Sequence, residues 1–561
     1  MPPPMNKTAL ALAAALLATS ASADTLVSNV NGIQVGTDGK LQHFRALTIG
    51  DDGKVRQVIA HPELVRLGGI TDTIDAGGRT LLPGLIDAHG HVVDLGTAAM
   101  TVQLTGTSSI ADLRQRLRAY AAANPGKAWI SGFGWNQELW PDKRYPTAAD
   151  LDAAVPDRPV VLERVDGHAL IVNSAALKAS GVTAATADPV GGKIERDASG
   201  NPTGLFIDKA RGLVERAIPP RTAADEDEAL TKAQEQMLSV GVTAAGAMST
   251  TADNWAAFQR AGAAGRLQVR IMSYMSAPDQ VATNQAPTPW LDGDHLRLVG
   301  VKLFADGALG SRGAWLKAPY SDKPDTRGLQ FHSDAELLAM ADNAASRGFQ
   351  IATHAIGDAA IAQVIGAYEQ LSKKYGTARR WRIEHLQIAD PVDISRLAPA
   401  GIIASMQPTH ETSDRLMAEK RLGPNRLAGA YAWQSVLKSG ARLAFGTDFP
   451  VESPNPFPGL AAAISRQGMD GQPPGGWIPS ERLTFAEALD AYTRGAAYAG
   501  FAEDKIGALE PGKWADFILI DRDPTKVDAQ ALARTQVIET WVAGKKMWAR
   551  TTAASAAERG R

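Results

Sequence analysis

Between residues 81 and 495, strand-like and helix-like stretches alternate, and this alternation restricts the fold more than any other feature of the chain. A strand followed by a helix returns the chain to the same end of a sheet, so successive strands lie parallel. Strand-like segments start at residues 81, 128, 158, 241, 267, 298, 349, 381, 402 and 442. Those at 128 and 158 fall in a stretch rich in Trp, Pro and Gly, residues 127–225, which reads as an insertion after the first barrel strand. The remaining eight are the number that closes a (β/α)8 barrel. An open doubly wound sheet is the alternative, but no Gly-x-Gly-x-x-Gly follows the first strand. Ser333 to Arg347 predicts a helix, with a Ser cap and an acidic first turn.

Both ends of the chain read differently. Residues 25–80, and the stretches Trp514 to Ile520 and Val537 to Gly544, show short strands between Gly- and Asp-rich turns. One small β-sandwich domain, built from residues 24–80 and 496–550, is expected beside a barrel domain of residues 81–495. Residues 1–23 carry Lys7, a short apolar run from Thr8 to Thr19 and the small residues Ala21-Ser22-Ala23, the pattern of a signal peptide. The mature chain would begin at Asp24 and be periplasmic or secreted. The run is shorter than the roughly 20 residues that span a bilayer. No later stretch is longer and as apolar, so no membrane association is expected after cleavage.

Lys plus Arg number 58 and Asp plus Glu 60, so the charge is close to balanced and gives no footprint for nucleic acid. A small-molecule substrate is expected, and a homodimer is among the assemblies the sequence allows. The chain has no Cys, which excludes disulfides, thiolate metal sites and Cys nucleophiles. Any transition metal must be held by His, Asp, Glu or a lysine derivative.

Barrel enzymes carry their chemistry at the C-terminal ends of the strands. There the sequence places His89 and His91, Lys302, His354, His385 and Asp448. Residues two apart on a strand point to one side, so the His-x-His pair can grip one cation. Imidazole and carboxylate suit zinc, and also Mn, Fe or Ni. Lys302 repels a cation until it loses its proton. Reaction with CO2 then gives an N6-carboxylated lysine whose two oxygens can bridge two metals. A water shared by two metals loses its proton near neutral pH. Other readings pair Lys302 with Asp306, make Glu384 and His385 a core pair, and make Asp448 a helix cap.

The stretches Leu82-Pro83-Gly84-Leu85-Ile86-Asp87-Ala88-His89-Gly90-His91, Lys302 to Arg312, Thr353 to Asp358, Ile383-Glu384-His385, Gly446 to Val451 and Gly507 to Asp516 resemble the amidohydrolase superfamily. Within it the chain resembles the amidohydrolase family 3 branch, which includes N-substituted formamide deformylase; Arg164-Val165-Asp166-Gly167-His168 adds to the likeness. The resemblance implies a distorted (β/α)8 barrel with two zinc ions. His89, His91 and Asp448 would hold the more buried ion and His354 and His385 the other, with carboxylated Lys302 between them. Asp448 would act as general base and then acid in cleaving a C–N bond of an amide, N-acyl or N-formyl group. An esterase or lactonase with the same site, and a non-catalytic metal-binding regulatory protein, are the alternatives. His168, Arg312, Gln407 and His410 are candidates for binding substrate. Trp129, Phe133, Trp135 and Trp140 form either a lid over the site or a local core.

Overall fold

The barrel sheet runs in chain order through Leu85–Gly90, Val242–Thr250, Arg270–Ser276, Leu296–Phe304, Gln350–Ala355, Arg382–His385, Ile403–Met406 and Arg442–Phe445. Each neighbouring pair is parallel. The structure, a computed structural model, describes residues 24–64, 68–137, 140–164, 169–189 and 192–551, so the expected signal peptide lies outside the described residues. Strands one and eight form no regular ladder. Individual bonds join them instead, from Asp448 N–H to the His89 carbonyl (2.8 Å) and from His91 N–H to the Phe449 carbonyl (2.7 Å). The barrel is therefore closed and distorted at this seam.

The eight strands fall where the alternation places them, with one difference. The segment expected from residue 81 is two strands. Thr80–Pro83 pairs antiparallel with Phe517–Ile520 in the small domain, and Leu85–Gly90 enters the barrel. Pro83 has no N–H to continue a ladder, so the break falls there. The expected helix is Asp334–Ser346, with Ser333 and Glu336 making a reciprocal cap.

Ile86, Ala244, Met272, Val299, Ala352 and Ile403 fill the barrel interior. Residues 496–506 pack on this core at the N-terminal ends of the strands. The Ala499 carbonyl accepts from Gln350, and the Phe501 carbonyl from Arg297. The sequence assigned these residues to the sandwich, but the small side chains of Ala496, Ala497, Ala499 and Ala502 fit them to the narrow barrel mouth.

The insertion forms its own six-stranded sheet, from Val102–Gln103 to Pro202–Asp208. It begins ahead of residue 127, because Val102 and Leu104 join the helix Ile110–Ala123 in the insertion's core. A two-residue strand carries no readable period. Trp135 and Trp140 belong to this core and donate to the carbonyls of Leu162 and Thr107 (2.9 Å each), while Phe133 is exposed. Among the described residues no helix is long and apolar enough to cross a membrane.

The sandwich packs a four-stranded sheet on a six-stranded one that joins both chain ends. Val27, Leu47, Val55, Leu81, Phe517 and Trp541 lie between them. A buried ion pair ties this domain to the barrel. Arg270, at the start of the third strand, meets Asp516 with both Nε (2.7 Å) and Nη2 (3.0 Å). Replacing Arg270 by Leu leaves Asp516 buried without its cation, at an expected cost of about 3–5 kcal/mol. Urea denaturation measures it, and an unshifted midpoint would show that other contacts hold the domains.

Candidate metal centre

Asp87, His89 and His91 follow one another at the end of the first strand with a period of two. Asp87 accepts from the His89 N–H (3.0 Å), and from the N–H (3.0 Å) and hydroxyl (2.7 Å) of Thr447. Gly90 leaves room for the Phe449 ring, which a Cβ would meet at 2.4 Å. Asp448 follows the eighth strand and faces both histidines. Its Oδ1 lies 3.2 Å from His91 Nε2 and 3.5 Å from His89 Nε2.

From the other side of the barrel come Lys302, His354 and His385. Lys302 Nζ lies 3.1 Å from His89 Nε2. The His385 ring stands 4.7 Å from that of His89 and 4.6 Å from that of His354. Two of these residues sit in a backbone conformation that side chains disfavour, with φ of +75° at His385 and +60° at Asp448. Such conformations cost about 1–3 kcal/mol each and persist where the surroundings enforce them. Here the Asp448 N–H bond to the first strand does so.

The six residues taken from strand ends thus come together. Asp306 does not pair with Lys302. It accepts backbone N–H groups of Trp315 (2.9 Å), Ile356 (3.0 Å) and Gly357 (2.8 Å), and so fixes the end of the fifth strand beside His354. Gln407 and His410, after the seventh strand, join the cluster. Gln407 Oε1 lies 2.9 Å from His385 Nδ1, and His410 Nε2 lies 3.7 Å from Asp448 Oδ2. Arg312 does not join it, since its guanidinium is committed to Asp322 (2.9 Å) on a loop. His168 lies outside the described residues.

Sequence reasoning read Glu384 only as a core partner of His385 and gave no role to Arg382. Glu384 accepts from His89 Nδ1 at 2.6 Å and is held from behind by Arg382, at 2.8 and 3.0 Å. Both sit on the face of the sixth strand that turns inward, two residues apart, and that spacing was the available signal. Glu384 keeps the proton of His89 on Nδ1, which leaves the Nε2 lone pair facing the cluster, an arrangement common behind metal-binding histidines.

The electrostatics favour a cation. Burial pushes His89 down to about 4 and His354 down to about 3, with the Lys302 charge adding to both. Burial also pushes His385 well below its ordinary value, helped by its histidine neighbours. The imidazoles are therefore neutral, with lone pairs to offer. Burial would raise Glu384, but the Arg382 charge, the hydrogen bond from His89 and the Lys302 charge together outweigh it and hold the carboxyl well below the usual range. Burial would also raise Asp448, and the surrounding histidines, His89 foremost, hold it ionised. Burial pushes the Lys302 ammonium down to about 8, so its free amine is within reach near neutral pH.

Ligand atoms of His89, His385 and Asp448 all lie within 4.8 Å of one another. Asp448 Oδ1 and His354 Nε2 are buried without a hydrogen-bond partner. Buried polar atoms without partners call for an ion or water, and neutral imidazoles around an ionised carboxylate suit a divalent metal. The residues present fit such an ion.

Residues 72–547 match the model of the Amidohydrolase family. The chain belongs to that family. Among curated relatives, the Bacillus subtilis protein YtcJ is 34% identical over 504 residues, covering 88% of this chain and 94% of its own length. N-substituted formamide deformylase of Arthrobacter pascens is 30% identical over 86% of this chain and 90% of its own. Among solved structures, an uncharacterized metal-dependent hydrolase from Pyrococcus horikoshii OT3 superposes with a TM-score of 0.75 at 29% identity, over 90% of this chain and 99% of that one. The barrel with its strand-end histidines is accordingly an amidohydrolase scaffold.

Glu384→Gln in this amidohydrolase removes the charge that orients His89. Metal affinity should fall by about 10–100-fold. Competition of the purified protein with a chromophoric zinc chelator measures this, and unchanged affinity would deny Glu384 its orienting part.

Proposed function

We propose that this amidohydrolase is an exported, zinc-dependent hydrolase that cleaves the C–N bond of an amide, N-acyl or N-formyl small molecule. One observation carries the reading: neutral, buried imidazoles surround an ionised Asp448 whose Oδ1 has no hydrogen-bond partner, at the C-terminal end of the barrel. His89, His91 and Asp448 would hold one ion and His354 and His385 a second, with N6-carboxylated Lys302 shared between them. The choice of a C–N bond is supported by the likeness to a relative named N-substituted formamide deformylase.

Bound there, the ions supply Lewis acidity, lowering the pKa of water and polarising the substrate carbonyl. The protein's own part is proton transfer and placement. A carboxylate oxygen of Asp448 takes a proton from the attacking water. As the C–N bond breaks, Asp448 returns that proton to the leaving nitrogen, so the products are a carboxylic acid and an amine. His89 and Glu384 fix the position of Asp448's surroundings, because Glu384 is itself immobilised by Arg382.

Removing metal with a chelator should abolish hydrolysis of N-benzylformamide, and added zinc should restore it. Asp448→Asn should lower kcat by about 10²–10⁴-fold, with part of the metal retained. Turnover that survives either change overturns the reading, and a preference for benzyl formate over the amide would move it to ester chemistry.

Export rests on Lys7, the apolar run after it and Ala21-Ser22-Ala23. Cleavage after Ala23 leaves the first sandwich strand, Asp24–Ser28, whole. N-terminal sequencing of the protein expressed in a Gram-negative host should find Asp24 first, in the periplasmic fraction. A cytoplasmic chain that still begins at Met1 would refute export.

A further inference from the structure

Three buried histidines around Asp448 differ in what their second nitrogen meets. His89 Nδ1 faces a carboxylate oxygen of Glu384, which only accepts. His385 Nδ1 faces the amide oxygen of Gln407 at 2.9 Å, which also only accepts. Both rings therefore carry their proton on Nδ1 and keep a lone pair on Nε2. His410 is the reverse. Its Nδ1 faces Gln387 Nε2 at 3.1 Å, and an amide nitrogen only donates. His410 Nδ1 must accept, so the proton of the ring sits on Nε2.

A nitrogen bearing a proton has no lone pair for a cation. His410 Nε2 is nevertheless aimed into the cluster. It stands 3.7 Å from Asp448 Oδ2, too far for a hydrogen bond. It is buried and has no hydrogen-bond partner, and the residue as a whole is 6% exposed. The ring stacks on His385 with centroids 6.0 Å apart and planes inclined by 21°. Its place is set by the first turn of the helix Pro408–Leu422. The backbone at Gln387 is held in turn, since its main-chain carbonyl accepts the Tyr431 N–H at 2.7 Å. A buried donor aimed at the reacting centre and used by nothing else in the protein is costly unless the substrate uses it.

We infer that His410 is a catalytic hydrogen-bond donor, whose Nε2–H binds the carbonyl oxygen of the substrate as that oxygen gains negative charge, and that Gln387 positions it by fixing the tautomer. The inference rests on the hydrolase reading above and adds to it a donor that is not a metal ligand. Removing one such donor costs about 10²–10³ in kcat. Gln387 is a positioning residue, because it acts only through the imidazole.

Zinc-loaded full-length protein tests this with N-benzylformamide as the probe. His410→Phe should keep the metal content of the parent and lower kcat by about 10²–10³-fold, with KM changed by less than about threefold. Gln387→Glu puts an acceptor beside Nδ1, turns the proton onto that atom, and should lower kcat comparably while the ring stays in place. Neutron diffraction of the parent should find deuterium on Nε2 of His410 and on Nδ1 of His385. Loss of an ion from His410→Phe, deuterium on Nδ1 of His410, or parental kcat in either variant would overturn the inference and leave the hydrolase reading standing. Absence of chelator-sensitive hydrolysis in the parent would instead sink the hydrolase reading, and the donor role with it.

Discussion

Asp87, a carboxylate out of reach of solvent, accepts from the backbone of His89 and from both the N–H and the hydroxyl of Thr447. The bonds from Thr447 cross the one gap in the barrel, where strands one and eight lack a ladder. Their approach is close enough that a Cβ on Gly446 would stand 2.5 Å from Asp87 Oδ1 and 2.6 Å from the His89 nitrogen. The same crossing bonds bring His89, His91 and Asp448 face to face. Closing the barrel and assembling half of the cluster are therefore one event. A chain that failed to close would lose both its sheet seam and the carboxylate that faces the histidines.

The other half depends on a buried guanidinium. Arg382 is in a barrel interior where an unpaired charge would be prohibitive. It bonds Glu384 of its own strand, the Tyr274 hydroxyl of strand three, the Ala88 carbonyl of strand one and the Ser405 hydroxyl of strand seven. One side chain thus fastens four strands and holds Glu384 ionised. Glu384 then orients His89, so the choice of which imidazole nitrogen faces the cluster traces back to a cation that touches no ligand itself. This is why residues behind the cluster matter to its chemistry as much as those in it.

The barrel's strand order was legible because the strands are buried on both faces and several helices, such as Ala252–Ala263 and Asp334–Ser346, carry a side-chain cap, signals local to the sequence. The split at Pro83 and the two-residue strand Val102–Gln103 were not, since both depend on partners far along the chain. The residues of the cluster were legible at strand ends. Asp87 and Glu384 carried the same period-two signal as His89 and Arg382, but a buried carboxylate has no distinctive composition. Arg312 shows the opposite failure. A conspicuous loop arginine near a functional strand is paired with Asp322, ten residues on. The difference between His385 and His410, whose Nδ1 atoms face the amide oxygen of Gln407 and the amide nitrogen of Gln387, was beyond reach. It turns on which end of an amide faces which nitrogen, and only the fold decides that.

The chain ends have a separate task. Arg270 meets Asp516, and residues 496–506 seal the barrel, at the N-terminal ends of the strands. The cluster lies at the C-terminal ends. Barrels of this kind keep stability at one face and chemistry at the other. The loops that follow strands four, six, seven and eight can then vary around the cluster while residues 496–506 hold the opposite mouth shut. Two residues with strained backbones, His385 and Asp448, stand on the chemical face. Their conformation is sustained by a scaffold whose domain contact is elsewhere, so strain in the cluster is borne by the whole barrel and not by the loops that display it.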